Sequence, residues 1–441
     1  MGLFSFNKNS NNKNTQSKNE FSITFGRYTD RNKTKKQLQY WDESVKFFNQ
    51  KEYLKAVEAL LYYISDEQQN NVTISVSQNS IEFSMIQGSK TFRGKVENGV
   101  VEAEGRIARF TNPPVPVMRK LLNLNYALRY TWCGIKDDYL GIYFSSPLEN
   151  ASSWKLYSSF KELALNIDKQ DDILVDEFSD SLFETDTEES IPIPQEIAEL
   201  KYEYLIRWIN ETIDQIKQSD VQKHSGLNSY RLLALCMRID YLLIPQGSLV
   251  EILEKNIRMY FNKPAGINDI NIPIMNEFEA ILNTPKDQIL KNFYNVKATF
   301  AIAPPTPYQK VADFIFEESK TRDYYIKNNE PQHIPIIYEY IAGYNMFYFG
   351  MSQPLIDMHH LYFTILHSEF FQKINPGEIL YNASDGNLNS HLIIKKINEI
   401  VKKNSTNHPG FTYNTNKLKF NSLADFSISY FSEFDFLNLK N

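Results

Sequence analysis

The chain has 441 residues, of which 42% are apolar and 23% charged, the balance of a globular protein rather than a disordered or fibrous one. At roughly 100–200 residues per domain, two to four domains are expected. The net charge is −6 and the basic residues cluster only within 8–36, among Asn and Ser, so a phosphate-gripping surface and a nucleic-acid partner are not expected.

The first residues lack the basic start, apolar stretch and cleavage site of a secretory signal. No apolar run approaches the ~18 residues needed to cross a bilayer. Two cysteines, Cys133 and Cys236, each sit in an apolar run, which excludes a disulfide framework and fits buried thiols in a reducing compartment. A cytoplasmic location with no membrane span is expected. Residues 1–35 are expected to be a disordered tail, because 8–19 are almost wholly Lys, Asn, Ser, Thr and Gln.

Residues 36–49 carry Leu38, Trp41, Val45 and Phe48 at helical spacing, and 52–64 carry Ala56, Leu60 and Tyr63. Tyr40, Ser44, Phe47, Tyr53, Ala56, Leu60 and Tyr63 make this hairpin resemble a tetratricopeptide unit, with Glu43 departing from the pattern. There is no second copy, so the unit must pack on something else. The period then changes to two. Residues 72–76 and 81–85 alternate apolar and polar, turns are marked at 77–80 and 87–89, and Asn98 with Gly99 is a strong hairpin signal before a strand at 100–108. A helix at 117–129, a hairpin of 130–135 and 139–144, and a closing helix at 153–167 complete an α+β domain over 36–167.

Residues 168–194 hold ten acidic side chains and two prolines, Pro192 and Pro194, and read as an acidic linker. Residues 195–441 read as a mainly α-helical domain. Helices are expected at 195–218, 225–243, 248–262, 272–283, 286–301, 307–328, 332–350, 354–373 and 388–403. Short strands are expected in the tail, where 417–420 and 426–430 alternate.

The helix–meander–helix–hairpin–helix order of 52–167, with Leu121, Leu122 and Asn125 leading into the hairpin from Tyr130 to Phe144, resembles the YbjN-like domain, whose fold is that of type III secretion chaperones. The resemblance covers about a quarter of the chain. It implies a small module that binds a polypeptide segment, often as a homodimer, and it carries no catalytic residue. Up to four strands precede the middle helix here, where the chaperone pattern has three. The helical half resembles no family.

Asp357, His359, His360 and His367 form the most catalytic-looking cluster. On one helix His360 and His367 share a face, with Asp357 one turn before His360, a donor set that could hold a metal. Zinc helices prefer histidines four apart, and the flanks are apolar, so a structural role is expected. Phosphate loops are absent: Gly88 and Gly94 with Lys95 have the wrong spacing, and Val96 lacks a hydroxyl. The carboxylates of the linker are read as solvated. The aromatic run from Tyr338 to Phe349 is read as core rather than groove. No catalytic, cofactor-binding or metal-binding residue is assigned. The favoured function is a protein-binding or chaperone-like adaptor. An enzyme with its site near Asp357, His360 and His367, or a subunit of a larger assembly, are the other readings.

Overall fold

The computed structural model describes residues 25–27, 33–67, 69–109, 113–178, 184–185, 190–220, 223–262, 266–300, 305–377 and 379–439. Its first regular element is set by a capping box. Thr34 Oγ1 accepts from the Gln37 amide, and Gln37 Oε1 accepts from the Thr34 amide, which satisfies two N–H groups that the helix start would leave bare. Helix α1 (Lys35–Asn49) turns back at Lys51, in the left-handed region, into α2 (Tyr53–Ile64). This lone hairpin finds its second partner in α4 (Ser153–Phe178). Ser44 Oγ, fully buried, bonds the Ala56 carbonyl at 2.7 Å and Ser153 Oγ at 2.7 Å, and the Trp41 ring meets Trp154 edge-on at 4.5 Å.

The strands are β1 (Val72–Val76), β2 (Ile81–Gln87), β3 (Lys90–Glu97), β4 (Val100–Arg109), β5 (Trp132–Lys136) and β6 (Tyr139–Pro147), all antiparallel in the order β1-β2-β3-β4-β6-β5. Asn98 and Gly99, at φ 53° and 77°, make the tight turn between β3 and β4. One face buries Phe83, Phe92 and Phe144 around Phe160 of α4, with ring centroids 5.1–6.1 Å apart. The other face is polar. A single cross-strand row runs Thr73, Ser84, Arg93, Glu104, Tyr143, Trp132, as strict alternation requires. Helix α3 (Val115–Ala127) lies between β4 and β5 and packs through Val117 and Leu121.

The expected boundary at 168 falls inside α4, which runs on to Phe178. Asp168 is a fixed acceptor rather than a solvated one. Its carboxylate takes the Ser89 amide at 2.9 Å and Gln87 Nε2 at 3.3 Å across the turn at Gly88. Gly88 has φ +58°, and a Cβ there would stand 1.9 Å from that carboxylate. The short strands β7 (Glu184–Thr185) and β8 (Ile191–Pro192) also lie in the expected linker, where 179–183 and 186–189 are outside the described residues.

The second half is helical: α5 (Gln195–Lys217), α6 (Ser225–Arg238), α7 (Gly247–Asn262), α8 (Ile267–Leu282), α9 (Lys286–Leu290), α10 (Tyr308–Ser319), α11 (Thr321–Lys327), α12 (Ile334–Tyr348), α13 (Gln353–Leu366), α14 (Ser368–Ile374), α15 (Ser390–Asn404) and α16 (Leu423–Ser432). With the sheet half, the chain is α+β. Three expectations are corrected. The helix expected at 286–301 stops at Leu290, and β9 (Tyr294–Asn295) pairs with β8. The chain then crosses to the other half: the Gly88 amide bonds the Ala298 carbonyl at 2.9 Å, the Phe300 amide bonds Gln87 Oε1 at 2.7 Å, and the Phe300 ring is 1% exposed in the sheet core. The tail strands are instead α16 and its flanks. Ser422 caps the helix, and Phe426, Tyr430, Phe431 and Phe434 follow a period of four that outweighs the local alternation. Within the expected tail, 25–27 are docked: Arg27 Nη2 meets Asp240 at 2.7 Å, and the Gly26 amide bonds the Tyr241 carbonyl at 3.0 Å. Residues 1–24 and 28–32 lie outside the described residues. A two-stranded hairpin, β10 (Tyr381–Asn382) with β11 (Asn387–Leu388), closes the list of strands. No described helix is long and apolar enough to cross a membrane.

Phe300 ties the helical half to the core of the other. Phe300→Ala is expected to cost about 3–5 kcal/mol in urea unfolding of the whole chain. The exposed Phe436→Ala is expected to stay within about 0.5 kcal/mol. Equal small effects would mean the strap contributes nothing.

Candidate functional site

The residues singled out by sequence do not converge. Asp357, on the outer side of α13, is taken up by Lys403 Nζ at 3.0 Å, Asn404 Nδ2 at 2.8 Å and Gln353 Nε2 at 2.8 Å. His359 is buried: Nδ1 donates to the Leu355 carbonyl at 2.7 Å, so Nε2 accepts from Asn345 Nδ2 at 2.9 Å. His360 Nδ1 takes the Tyr241 hydroxyl at 2.9 Å beneath the Phe25 ring. Burial pushes both rings down to about 4, so both are neutral at pH 7. His367 lies just beyond the end of α13 and faces away, toward α12. Cys133 and Cys236 are buried, and desolvation raises both thiols, that of Cys133 to about 12. Of the aromatic run, Tyr338 and Tyr340 are buried, Tyr344, Phe347 and Phe349 are half-buried, and Tyr348 is exposed.

His367 belongs to a different constellation, one that crosses the helical half. Arg238 of α6 reaches Glu339 of α12 through Nε at 2.6 Å and Nη2 at 2.9 Å, and His367 Nε2 donates to the same carboxylate at 2.9 Å. Burial alone would raise the Glu339 pKa, but the charge of Arg238 and the bonds it receives hold it at about 2. Burial and Arg238 lower the His367 pKa against the pull of Glu339. Helices α6 and α12 can bring these groups together because Gly343 lets them approach: a Cβ there would stand 2.7 Å from Met237. These three groups form part of the wall of a cleft of about 730 Å³ between α5, α6, α12, α14 and the β10–β11 hairpin, together with Trp208 and Arg231. Sequence reasoning missed Arg238 and Glu339. The signal was a lone charge inside an apolar run in each case (Leu-Cys-Met-Arg-Ile and Ile-Tyr-Glu-Tyr-Ile), 101 residues apart.

A third cluster stands near one end of that cleft. His224, Glu330 and His333 place their ligand atoms within 4.8 Å of one another. Lys223 already bonds one Glu330 oxygen and His224 Nε2 lies 3.3 Å from the other.

The sheet half offers surfaces of another kind. Its open polar face forms a hollow of about 740 Å³ lined by residues of every strand from β1 to β6, including the edge strands β1 and β5. Beside it, α3 is apolar on two faces. Val117 and Leu121 point inward, while Val115, Met118, Leu122 and Tyr126 form an outward stripe, with Leu122 68% and Tyr126 95% exposed. Asn125 fixes the helix to the sheet edge. Its Oδ1 accepts from the Cys133 amide at 2.7 Å and its Nδ2 donates to the Cys133 carbonyl at 2.8 Å, occupying the outer edge of β5. Glu162 of α4 accepts the amides of Arg129, Tyr130 and Thr131 at 2.8–2.9 Å and holds the entry to β5.

Two outcomes follow from these geometries. Glu339→Ala would leave Arg238 buried without its counter-charge, at an expected cost of about 3–5 kcal/mol. Adding Arg238→Met should recover part of that loss in a double-mutant cycle, and a fully additive pair would contradict the coupling. Second, His359 has a folded value of about 4 against 6.5 when exposed. The unfolded chain therefore takes up the proton first. The associated stability is fully present above pH 6.5 and is lost as pH falls toward 4, by up to about 3 kcal/mol for this residue. Urea unfolding across that window checks it, and a flat profile would contradict it. No family model and no curated protein matches the chain, so the chemistry of these sites is read from their own geometry.

Proposed function

We propose that the protein is a cytoplasmic, chaperone-like adaptor whose sheet half holds a segment of a partner protein. The observation that carries this reading is the outward stripe of α3. A surface helix normally keeps one apolar face and turns it inward. Here a second apolar face is left uncovered by the described residues, which is the mark of a docking surface. The likeness of 52–167 to the YbjN-like and type III secretion chaperone fold supports the same reading, and two buried free thiols accord with a reducing compartment.

The chemistry of the stripe narrows the occupant. The charges of α3 are Arg119 and Lys120, with no acid on the helix. A second copy docked on the same stripe would bring like charges together across the two-fold axis. An amphipathic partner segment carrying acidic side chains fits better. Because Asn125 covers the outer edge of β5, the segment docks on the face of α3 rather than adding a strand there.

Leu122→Asp with Tyr126→Asp tests the surface in the full-length protein. Both side chains are exposed, so stability should change by no more than about 0.5 kcal/mol each. Wild type should retain an acidic partner from native lysate, in a salt-dependent manner, and the double variant should lose it. Retention of the same partner by the variant would remove α3 from the function. A wild-type dimer by light scattering that the variant dissolves would make the occupant a second copy instead.

A further inference from the structure

The cleft of the helical half contains a positive charge to which no described residue supplies a counter-charge. Arg231 stands seven residues before Arg238 on α6, so both guanidinium groups leave the same helix face and line the same cleft. They are treated differently. Arg238 is bidentate to Glu339. Arg231 is only 8% exposed, and its one hydrogen bond among the described residues runs from Nη1 to the neutral Asn228 Oδ1 at 2.7 Å. Nε and Nη2 have no partner there, and no described carboxylate pairs with the group. A guanidinium cannot shed its charge, and its unpaired nitrogens are not fully buried but open on the cleft, where an anion can reach them.

At this point of the cleft the surroundings favour an anion over a cation, because the carboxylates of its wall are already engaged, Glu211 and Glu369 by Arg207 and Glu339 by Arg238. His333 lines the cleft beside this charge; burial together with Arg231 and His224 lowers its pKa, so it meets a ligand as a neutral imidazole that still offers one N–H donor. Glu330 is the acid of the neighbouring cluster and is already paired with Lys223 and bonded to His224. A divalent ion on His224, Glu330 and His333 would face the fixed charges of Lys223 and Arg231 with one carboxylate to offset them. The cleft, at about 730 Å³, has the size of a small-molecule site, and Trp208, Ile336 and Phe370 give it apolar walls.

We infer that this cleft binds a small organic oxyanion, a phosphate monoester or a carboxylate, with its head on the free fork of Arg231 beside His333 and its body against Trp208. A planar guanidinium whose Nε and Nη2 are both free among the described residues matches two oxygens of such a head. This function is separate from the α3 surface and lies in the other half of the chain.

Calorimetric titration of the full-length protein at low salt tests it, with phenyl phosphate, benzoate and inorganic phosphate as probes. Phenyl phosphate or benzoate should bind one per chain and more tightly than inorganic phosphate. Arg231→Gln should weaken binding at least about tenfold. Arg231→Lys keeps the charge without the fork and should lie between. Because Arg231→Gln removes an uncompensated buried charge, its melting temperature should not fall, and if it does, Arg231→Lys carries the comparison alone. Absence of binding by all three probes overturns the inference, as does unchanged affinity in both variants. Stoichiometric zinc binding that is lost in His333→Ala, without any anion binding, would assign the cluster to a metal instead.

Discussion

The helical half depends on how closely α6 and α12 approach. Gly343 removes the side chain that would strike Met237, and the approach sets Arg238 against Glu339 next door. Taking a guanidinium and a carboxylate out of water is costly, and the pair is tolerable only because the contact is bidentate and His367 satisfies the carboxylate further. The pair therefore acts less as a source of stability than as a register mark. A shift of one helix by a turn would leave two charges buried and apart. The same pair forms part of the wall of the cleft, so the packing of the half and the shape of its pocket are one problem.

The cleft shows two ways of handling a buried cation on one helix. Arg238 is neutralised by the fold. Arg231, two turns earlier, is given a neutral amide and an opening. A protein that needed Arg231 only as filler could hold a Met or Leu there at lower cost, since buried apolar side chains need no counter-charge. The histidines follow the same division. His359 and His360 are enclosed and neutral, working as hydrogen-bonded core, while His333 and His367 line the cleft.

The sheet half has a different economy. One face of the sheet is closed by α4 around Phe160, and the lone α1–α2 hairpin is completed by Ser153 and Trp154 of the same helix. α4 is thus the common wall of both substructures, and its continuation past 168 carries Asp168 to the Gly88 turn and Lys169 to Glu254 of α7 at 3.0 Å. On α3 the outer side carries an apolar stripe, Val115, Met118, Leu122 and Tyr126, that no described element covers.

Much of this was legible from neighbours in sequence. The period of two in β1 and β2, the Asn98–Gly99 turn, the α1–α2 hairpin and the succession of helices after 195 each follow from side-chain spacing and turn chemistry acting over a few residues. The same local signals misled where a distant partner outweighed them. Asp168 and Lys169 begin an acidic run, yet Ser89 and Glu254 hold them in a helix. Phe426 to Tyr430 alternates, yet the buried Phe426, Tyr430 and Phe434 lie one helical turn apart, and the buried Tyr362 meets this helix through Ser427. Asp357, His360 and His367 share a spacing but not an environment, because α13 ends before His367 and each group meets a different neighbour. Composition and periodicity determined an α+β chain with apolar helices. Tertiary packing alone decided that Arg238 would meet Glu339 across 101 residues and that Arg231 would meet no described carboxylate, because charge pairing depends on distances through space that no spacing along the chain encodes.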